Sequence, residues 1–365
     1  MSGILKILPC FHTGGVEQST LLIVNYMAEK GLKTFVASSG GILEKKLHPN
    51  VGHITLPLDS KNPIKIICNA IKLKKIIFQH NIKVIHVGSR APAWSAYLAA
   101  KITGIGFVTT YHGAYGQNCL KWYYNRVMAL GRPVVVASKY MEEHVAKFYP
   151  KTKCLVIPSG IDTDFFTNNE EIEEESKKLK LSWKLPNDGK VVLLLGRFTR
   201  IKGHEFLLRS MACFKTQKAP LVVFVGDSKN TKLINELKLK ADQINVRLLV
   251  YEDVADIRPF YNAANVVIVP TTKPEAFGRV TVEAMSMGKI VIGNNLGASS
   301  EIINDSTWIF NSSSIESLAN IIKAALELSP QQAKAIGQKN RDRAVALYSV
   351  SKLVEGHLHI YNSFL

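Results

Sequence analysis

The run VVIVPTTKPEAFGRVTVEAM, residues 266–285, contains the unit from which we expect the fold to be built. Its first four residues, Val266–Val269, are all β-branched and predict a buried strand that Pro270 ends. The residues after it predict a helix over 276–287. A short apolar strand followed by a helix is the repeating unit of a parallel sheet covered by helices.

Two carboxylates in this run point to a ligand. Glu275 stands at the start of the predicted helix, and Glu283 lies two turns further on, about 12 Å away. That separation is too long for sharing one proton, but it suits two hydrogen-bond acceptors that hold an elongated polar ligand, whose anionic part lies near the helix N-terminus. The alternative is a surface helix with two solvated glutamates. Glu283 lies among apolar residues, where an unpaired carboxylate is costly, and this favours a ligand.

The same alternation runs through the chain and predicts an α/β fold. The predicted strands are Ile4–Leu8, Thr34–Ala37, Gly52–Leu56, Val84–Val87, Phe107–Thr110, Val134–Ala137, Cys154–Ile157, Val191–Leu195, Leu221–Val225, Val246–Leu249, Val266–Val269 and Ile290–Ile292. Further predicted helices cover 17–30, 63–80, 91–103, 119–129, 138–149, 330–346 and 351–363. At 365 residues the chain exceeds the usual size of a single core, so we expect two domains.

A charged segment, 166–189, separates two halves that each repeat the strand–helix pattern. It has an acidic stretch at 170–175 followed by lysines and lacks an apolar strand pattern, so we interpret it as an interdomain connection. The expected domains are then 1–165 and 190–350, with a last helical segment at 351–365.

The charge of the chain is concentrated in its first half. Residues 1–165 carry 20 Lys and Arg against eight Asp and Glu, while the whole chain has a net charge of +17. This excess predicts an anionic partner, which could be nucleic acid, a phosphorylated substrate or an acidic membrane surface. The sequence shows no recognisable nucleic-acid module, and aromatic residues do not alternate with the basic ones in 61–83, so a nucleic-acid-binding protein is only an alternative.

Residues 61–83 are a candidate membrane-binding surface. The segment combines apolar residues with six lysines, among them Lys65, Lys72, Lys74 and Lys75. A basic amphipathic helix of this kind binds an anionic bilayer, each lysine contributing about 1 kcal/mol near the surface. A helix that covers the sheet and turns its lysines to water explains the pattern equally well, so both interpretations stay open here.

The composition also indicates the cellular compartment of the protein and whether it holds a structural metal. The five cysteines are scattered without a metal-binding or disulfide spacing, which indicates a reduced protein without structural zinc. No stretch approaches the about 20 apolar residues of a membrane span, and the N-terminus lacks the layout of a signal peptide. We expect a cytoplasmic protein. Asp162 and Asp164 form an Asp-x-Asp motif, which we interpret as a solvated turn or interdomain contact rather than a metal site.

Three further motifs follow predicted strand ends, where ligands of open α/β sheets collect. Gly14 and Gly15 let the backbone approach a ligand closely, although a structural turn explains them too. His112 can hydrogen-bond a substrate hydroxyl or transfer a proton, although a lone histidine is more often structural. Arg197 and Lys202 precede a predicted helix and favour a diphosphate clamp over solvated basic residues.

Together these motifs resemble the retaining glycosyltransferases of family 4, whose GT-B fold has two Rossmann-like domains facing across a cleft. The most specific mark is Glu275 and Glu283 separated by seven residues, with Phe277 and Gly278 between them. The sequence EAFGRVTVEAM is similar to the corresponding motif of the family members that build bacterial lipopolysaccharide and other surface glycans. The resemblance implies a nucleotide-diphosphate sugar as donor, a glycan or lipid-linked acceptor, and no metal or other cofactor.

The resemblance also implies a role for each matching position. Gly14 and Gly15 would approach the donor diphosphate, and Arg197 and Lys202 would bind it. His112 would contact the donor sugar, and Glu275 would bind its hydroxyls together with the backbone of Ala276, Phe277, Gly278, Arg279 and Val280. Glu283 would bind the ribose, and Tyr251 and Val254 would lie beside the base. The implied catalytic residues are His112, Arg197, Lys202 and Glu275. The segment 351–365 would cross back to the first domain.

Four departures from the family sequence pattern bear on donor identity rather than on the charged contacts, among them Trp308 where a Gly is common and an extra residue between Pro270 and Glu275. Ser159 stands where the family usually has Asn, and 295–301 departs from the usual Gly-Gly-x-Pro-Glu.

We find no candidate nucleophile, so the resemblance favours front-side displacement, in which the leaving phosphate takes the acceptor proton. A sugar-nucleotide epimerase or hydrolase of the same fold is the alternative enzyme. A binding-only relative is disfavoured because both glutamates and both cations are present.

Overall fold

The computed structural model describes residues 2–12, 14–116, 118–186, 188–214 and 219–365 and divides the chain into two compact units. The first unit holds the residues up to Gly160 together with Val350–Leu365, and the second holds Ile161–Ser349. Each unit is built around one parallel sheet with helices on it, as the alternation of strands and helices predicts.

The first unit contains a seven-stranded sheet. Its strands are β1 (Gly3–Ile7), β2 (Lys33–Ser38), β3 (Val51–Thr55), β4 (Ile82–Val87), β5 (Gly106–Tyr111), β6 (Val134–Val136) and β7 (Cys154–Val156). Its helices before the second unit are α1 (Gly15–Glu29), α2 (Pro63–His80), α3 (Arg90–Thr103), α4 (Cys119–Asn125) and α5 (Lys139–Phe148). The strands lie in the order β3-β2-β1-β4-β5-β6-β7, and all the pairs are parallel.

The second unit contains a six-stranded sheet. Its strands are β8 (Val191–Leu195), β9 (Leu221–Gly226), β10 (Leu248–Glu252), β11 (Val266–Val269), β12 (Ile290–Asn294) and β13 (Ile309–Phe310). Its helices are α6 (Glu170–Ser182), α7 (His204–Met211), α8 (Thr231–Gln243), α9 (Arg258–Ala263), α10 (Arg279–Ser286), α11 (Ser299–Ile303), α12 (Ile315–Glu327) and α13 (Pro330–Tyr348). The strands lie in the order β10-β9-β8-β11-β12-β13, again all parallel.

The last helix, α14 (Val350–Asn362), belongs to the first unit. Its apolar residues Leu353, Val354 and Ile360 share one core cluster with residues of the first sheet and of α1, such as Ile4 and Ile23. Burial of this apolar surface is what attaches the end of the chain to the first sheet.

Both sheets reverse their strand order at one point. In the first sheet the reversal falls between β1 and β4, and in the second between β8 and β11. In open α/β sheets the loops leaving the carboxyl ends of two such strands diverge and form a crevice in which ligands bind. The loops after these strands are therefore where the functional side chains are expected.

All twelve predicted strands are present, and most of them are largely buried and consist mainly of apolar residues, which makes them visible in the sequence. The edge strand β10 begins two residues later than predicted, at Leu248, and its half-exposed residues carry a weaker signal. The two-residue β13 was not predicted, since Ile309 and Phe310 form too short a run.

Segment 166–189 was predicted to connect the two units, but it is not a connection between them. It lies within the second unit, where most of it forms α6. Asn169 caps this helix, and its acidic first turn suits the positive end of the helix dipole. Trp183 at its end is buried, and its ring nitrogen donates to the Tyr251 hydroxyl at 2.8 Å. The charge run was therefore a solvated helix face.

The helix predicted over 276–287 is shorter than expected. α10 begins only at Arg279, because Gly278 at its N-cap has a φ of +105°, a left-handed conformation that does not continue a helix. Glu275 consequently lies in a loop, four residues before the helix, and not at the helix start.

Candidate active site

Lys202 and Glu275 meet at the carboxyl end of the second sheet, although 73 residues separate them in sequence. Lys202 follows β8 and Glu275 follows β11, the two strands on either side of the order reversal. Lys202 Nζ donates to Glu275 Oε1 at 2.5 Å, and the two side chains are 20% and 21% exposed. The structure thus joins two of the four predicted catalytic residues in one charge-assisted hydrogen bond that a ligand can reach.

Two glycines allow the loops to come this close. Gly203 has a φ of +76°, and a Cβ there would lie 1.9 Å from the carbonyl oxygen of Pro270. Gly297 has a φ of +63°, and a Cβ there would lie 2.5 Å from the backbone of Glu275. The N–H of Ala298 also donates to the Glu275 carbonyl at 3.0 Å. Sequence reasoning did not assign these glycines to the site, since their role appears only where three loops pack together.

Glu283 has partners inside the protein, which corrects the premise that its carboxylate is unpaired. The Tyr261 hydroxyl donates to Glu283 Oε2 at 3.1 Å, and Arg279 lies 3.4 Å from Oε1. Burial raises the pKa of the Glu283 carboxyl, and the charge of Arg279 opposes that rise. Burial of this side chain therefore does not by itself argue for a ligand, and its contact with a ribose stays a prediction.

The loop between the two glutamates is partly structural. The Phe277 ring is buried and packs at 5.6 Å, edge to face, against the ring of Tyr348. Ala276, Gly278 and Val280 are half-buried and leave backbone near the surface. The predicted contact of this backbone with a donor sugar remains untested.

Arg197, Tyr251 and Val254, also predicted for this site, lie in the same unit, and among the described residues none of them has a hydrogen bond or ion pair with Lys202 or Glu275. Arg197 follows β8 directly and is exposed, and no carboxylate of the described residues forms an ion pair with it. Tyr251 lies on the edge strand β10, where its hydroxyl accepts from Trp183, and Val254 follows in a half-buried loop. Their roles at a diphosphate and a base stay predictions.

In the first unit, Gly14 and Gly15 form the start of α1. Gly14 is its N-cap, and Gly15 is its first, exposed residue. A Cβ at Gly14 would lie 2.2 Å from a carboxylate oxygen of Glu17, so this acidic side chain occupies the helix N-terminus. A diphosphate at the two glycines would require Glu17 to turn away, which qualifies the predicted role.

His112 follows the carboxyl end of β5, as predicted. A Cβ at Gly88, after β4, would lie 3.2 Å from its Nε2 and 3.0 Å from the Val16 side chain, so this glycine makes room for the ring. Burial, with a smaller effect of the Lys6 charge, lowers the pKa of His112 to about 3. The imidazole is thus neutral at physiological pH. Its contact with a donor sugar stays a prediction.

Sequence reasoning missed a buried polar cluster around Lys6. Lys6 is 4% exposed and lies 3.2 Å from His86 Nδ1, which also bonds the Tyr361 hydroxyl. His86 Nε2 lies 2.6 Å from Thr110 Oγ1. Lys6 and His112 border the same small cavity of about 20 Å³. The available signal was a lysine inside an apolar strand.

Helix α2 confirms the predicted helix 63–80 and shows two different faces. Residues such as Leu73 and Ile77 are buried against the unit, so the helix does cover the sheet. Lys65, Lys72, Lys74 and Lys75 are exposed. Four apolar side chains are also 52% to 71% exposed, namely Ile64, Ile67, Ile71 and Phe78. Solvated lysines on a sheet-covering helix do not account for this apolar stripe.

No metal centre or membrane-spanning helix is found in the described part of the chain. Asp162 Oδ1 accepts from the N–H groups of Asp164 and Phe165, which makes the Asp-x-Asp motif an exposed turn. The described residues contain no group of three or more His, Cys, Asp or Glu side chains placed to hold a metal ion. None of the described helices has both the length and the hydropathy needed to span a bilayer.

Two family models match the chain, one in each half. Residues 13–165 match Glycosyltransferase Family 4, and residues 175–343 match Glycosyl transferases group 1. Together the two matches cover nearly all of both units.

Individual relatives extend this result to the whole chain. A crystal structure of a glycosyltransferase from Rickettsia africae shares 30% identity and a TM-score of 0.90, covering 100% of this chain and 98% of that one. The capsular polysaccharide biosynthesis glycosyltransferase CapM of Staphylococcus aureus is 24% identical over 99% of this chain and 98% of its own. Anabaena HepE in complex with UDP-glucose has the same fold, with a TM-score of 0.80, 19% identity and both chains covered at 100%. Three other curated relatives are matched over only 44% to 58% of their length.

Proposed function

The chain belongs to the GT-B glycosyltransferases of family 4, and from that premise we propose that it moves a sugar from a nucleotide-diphosphate sugar to a hydroxyl of a glycan or lipid-linked acceptor. The proposal includes retention of the anomeric configuration, independence of metal ions, and a place in the synthesis of lipopolysaccharide or another surface polysaccharide. Similarity to CapM supports the last point.

The observation that carries the proposal is the pair of Lys202 and Glu275 at the reversal of the second sheet. An ammonium group at this place stabilises the negative charge that develops on a leaving diphosphate, usually the largest electrostatic contribution in such chemistry. A carboxylate beside it accepts hydrogen bonds from sugar hydroxyls. Without donor the two charges neutralise each other, and donor binding would exchange this ion pair for two contacts with the ligand.

The proposed reaction needs no nucleophile from the protein. The bond between the anomeric carbon and the diphosphate oxygen breaks, and a bond to the acceptor oxygen forms on the same face. The acceptor proton passes to an oxygen of the leaving diphosphate. The protein contributes position and charge stabilisation, and neither Glu275 nor Glu283 acts as general acid or base.

A panel of donors measured by thermal shift tests the proposal. We expect one class among UDP-, GDP-, ADP- and CMP-sugars to raise the melting temperature, because a ligand at 100 times its Kd stabilises the folded protein by about 2.7 kcal/mol. UDP-glucose is the first to try, since the HepE structure contains it. The shift and the transfer activity should both persist in EDTA.

The same assay has outcomes that contradict the proposal. No shift with any donor would reject a nucleotide-sugar site, and loss of activity with EDTA would reject metal independence. Formation of free sugar or an isomeric sugar nucleotide without acceptor, and no product with acceptor, would support the epimerase or hydrolase instead. Tight nucleic-acid binding with a steep salt dependence would support the nucleic-acid alternative.

We further propose that the protein works as a peripheral protein on the cytoplasmic face of an anionic membrane, bound through α2. The lysines of α2 match the negative charge of such a surface, and its exposed Ile and Phe side chains reach into the interface.

Flotation with phosphatidylglycerol vesicles should recover the protein, and Ile67→Glu combined with Ile71→Glu should reduce binding at least tenfold. Leu239→Glu, at an exposed apolar residue of α8, is the matched control and should bind normally. Equal binding of all variants would remove α2 from the proposal.

A further inference from the structure

A second, larger cavity lies in the first unit at the amino ends of its strands. It has a volume of about 1330 Å³ and is bordered by the end of α3, the starts of β5 and β7, and part of α4. Gly106 at the start of β5 lines it, whereas His112 follows the other end of the same strand. At about 3.3 Å per residue the two are about 20 Å apart, so this cavity is distinct from the loops in which the donor-site residues lie.

The cavity is strongly cationic. Five basic side chains line it, from Lys101, Arg126, Arg132, Lys151 and Lys153. No acidic residue is among the described residues that line it, and none of the five forms an ion pair with another described residue. Like charges gathered in this way repel each other, and an anion in the cavity would relieve the repulsion.

Aromatic rings also line the cavity. The rings of Phe107, Trp122, Tyr149 and Phe364 line it. Trp122 and Tyr149 stack with ring centroids 5.6 Å apart, and the Phe364 ring lies over Gly106, where a Cβ would be 2.5 Å from it. A lining of aromatic and basic side chains suits a ligand that has an apolar part attached to an anionic part.

Exposed apolar side chains lie close in sequence to residues that line the cavity. Ile102, next to Lys101, is 59% exposed, and Leu120 on α4 is 86% exposed. Leu155, two residues after Lys153, is 37% exposed. A free phosphate compound in water would gain nothing from these side chains, whereas the surface of a bilayer would cover them.

We propose that this cavity binds the phosphate group of an anionic membrane lipid, with the glycerol and upper chain region of that lipid against the aromatic rings. The five cations hold the phosphate, and the exposed apolar side chains of Ile102, Leu120 and Leu155 enter the membrane interface. This site is separate from sugar transfer, and it needs membrane contact of the first unit but no particular donor or acceptor.

Trp122 is a built-in reporter for the test. The purified full-length protein is mixed with vesicles of brominated phosphatidylglycerol, whose bromines quench tryptophan fluorescence at short range. We expect quenching that saturates with lipid, that is lost in Trp122→Phe, and that does not occur with brominated phosphatidylcholine. Arg132→Gln combined with Lys153→Gln should weaken it about 25-fold, because each basic side chain near an anionic surface contributes about a factor of five.

A matched control separates a specific cavity from general surface charge. Lys232→Gln combined with Lys238→Gln removes the same charge from exposed positions on α8, and this variant should be quenched like the wild type. An equal loss in both double variants would overturn the proposal, as would quenching in Trp122→Phe that equals the wild type. If inorganic phosphate binds the cavity and abolishes the quenching of Trp122 by vesicles at the same concentrations, the site belongs to soluble phosphate, and the proposed lipid ligand is wrong. Donor-induced thermal shifts should be the same in all variants, so failure here is distinguishable from failure of the proposed transferase.

Discussion

Glu275→Ala and Lys202→Ala should each lower the rate of sugar transfer about 100- to 1,000-fold while the protein stays folded. Both side chains reach the surface at the reversal of the second sheet, where they contact each other at 2.5 Å. Removing the ammonium group removes the charge that stabilises the leaving diphosphate. Removing the carboxylate removes a hydrogen-bond acceptor for the sugar and leaves Lys202 without its partner.

The effect on folding should be small in comparison. Partly exposed ion pairs contribute about 1 kcal/mol or less, so both variants should melt within a few degrees of the wild type. Because the two residues act on one ligand, the double variant should lose far less than the product of the two single losses. The measurement is kcat and KM for the three variants, together with their melting curves.

The exposed ion pair of Arg200 and Glu236 provides the matched control. Arg200 lies two residues from Lys202, and its guanidinium bonds Glu236 at 3.0 Å. Arg200→Ala should leave transfer within a factor of about three of the wild type, as expected of a surface substitution outside the site. Full activity of both Glu275→Ala and Lys202→Ala would show that the pair is not the centre of the site.

Lys6→Met should stabilise the first unit by about 3 kcal/mol at pH 7. Burial lowers the pKa of Lys6 from its ordinary value of 10.5 to about 7, and no carboxylate of the described residues pairs with it. A fall of that size, at about 1.4 kcal/mol for each pKa unit, corresponds to about 5 kcal/mol when the lysine is fully protonated. Loss of the hydrogen bond to His86 offsets about 1 kcal/mol of the gain.

The stability gain of Lys6→Met should depend on pH, and the titration of Lys6 sets the direction of that dependence. Between about pH 7 and 10.5 the unfolded chain binds one more proton at Lys6 than the folded chain does. The wild type therefore gains stability from this group as the pH rises through that window, and loses it as the pH falls towards 7. The advantage of the Lys6→Met variant should be largest near pH 6 to 7 and should shrink towards pH 10, as measured by urea unfolding at several pH values.

An exposed lysine of a neighbouring strand is the control. Lys83 on β4 is exposed, so Lys83→Met should change stability by less than about 0.5 kcal/mol at every pH. A stability gain in Lys6→Met that did not vary with pH, or a destabilised variant at pH 7, would contradict the buried-charge argument. Greater stability combined with lost activity would show that Lys6 is retained for the neighbouring His112.

The elements that sequence reasoning located well are those whose signal is local. A strand such as β11 is a run of four β-branched residues ended by Pro270, and its signal lies within a few positions. The start of α10 was placed three residues too early, because the left-handed conformation of Gly278 depends on the surrounding loops. Segment 166–189 was misplaced for a similar reason, since a charged helix face and a charged linker have the same composition.

The sequence by itself determined the order of strands and helices, the α/β class, the family and the loops that carry the candidate residues, because each depends on neighbouring positions. Only the tertiary structure decided which side chains meet. The register of parallel strands places Lys6 beside His86, and the Tyr361 hydroxyl of α14 bonds the same His86 nitrogen. Packing of three loops sets Glu275 against Lys202, and helix α9 brings Tyr261 to Glu283 of α10. Such contacts join residues far apart in the chain, and their charge states depend on burial, which no local pattern records.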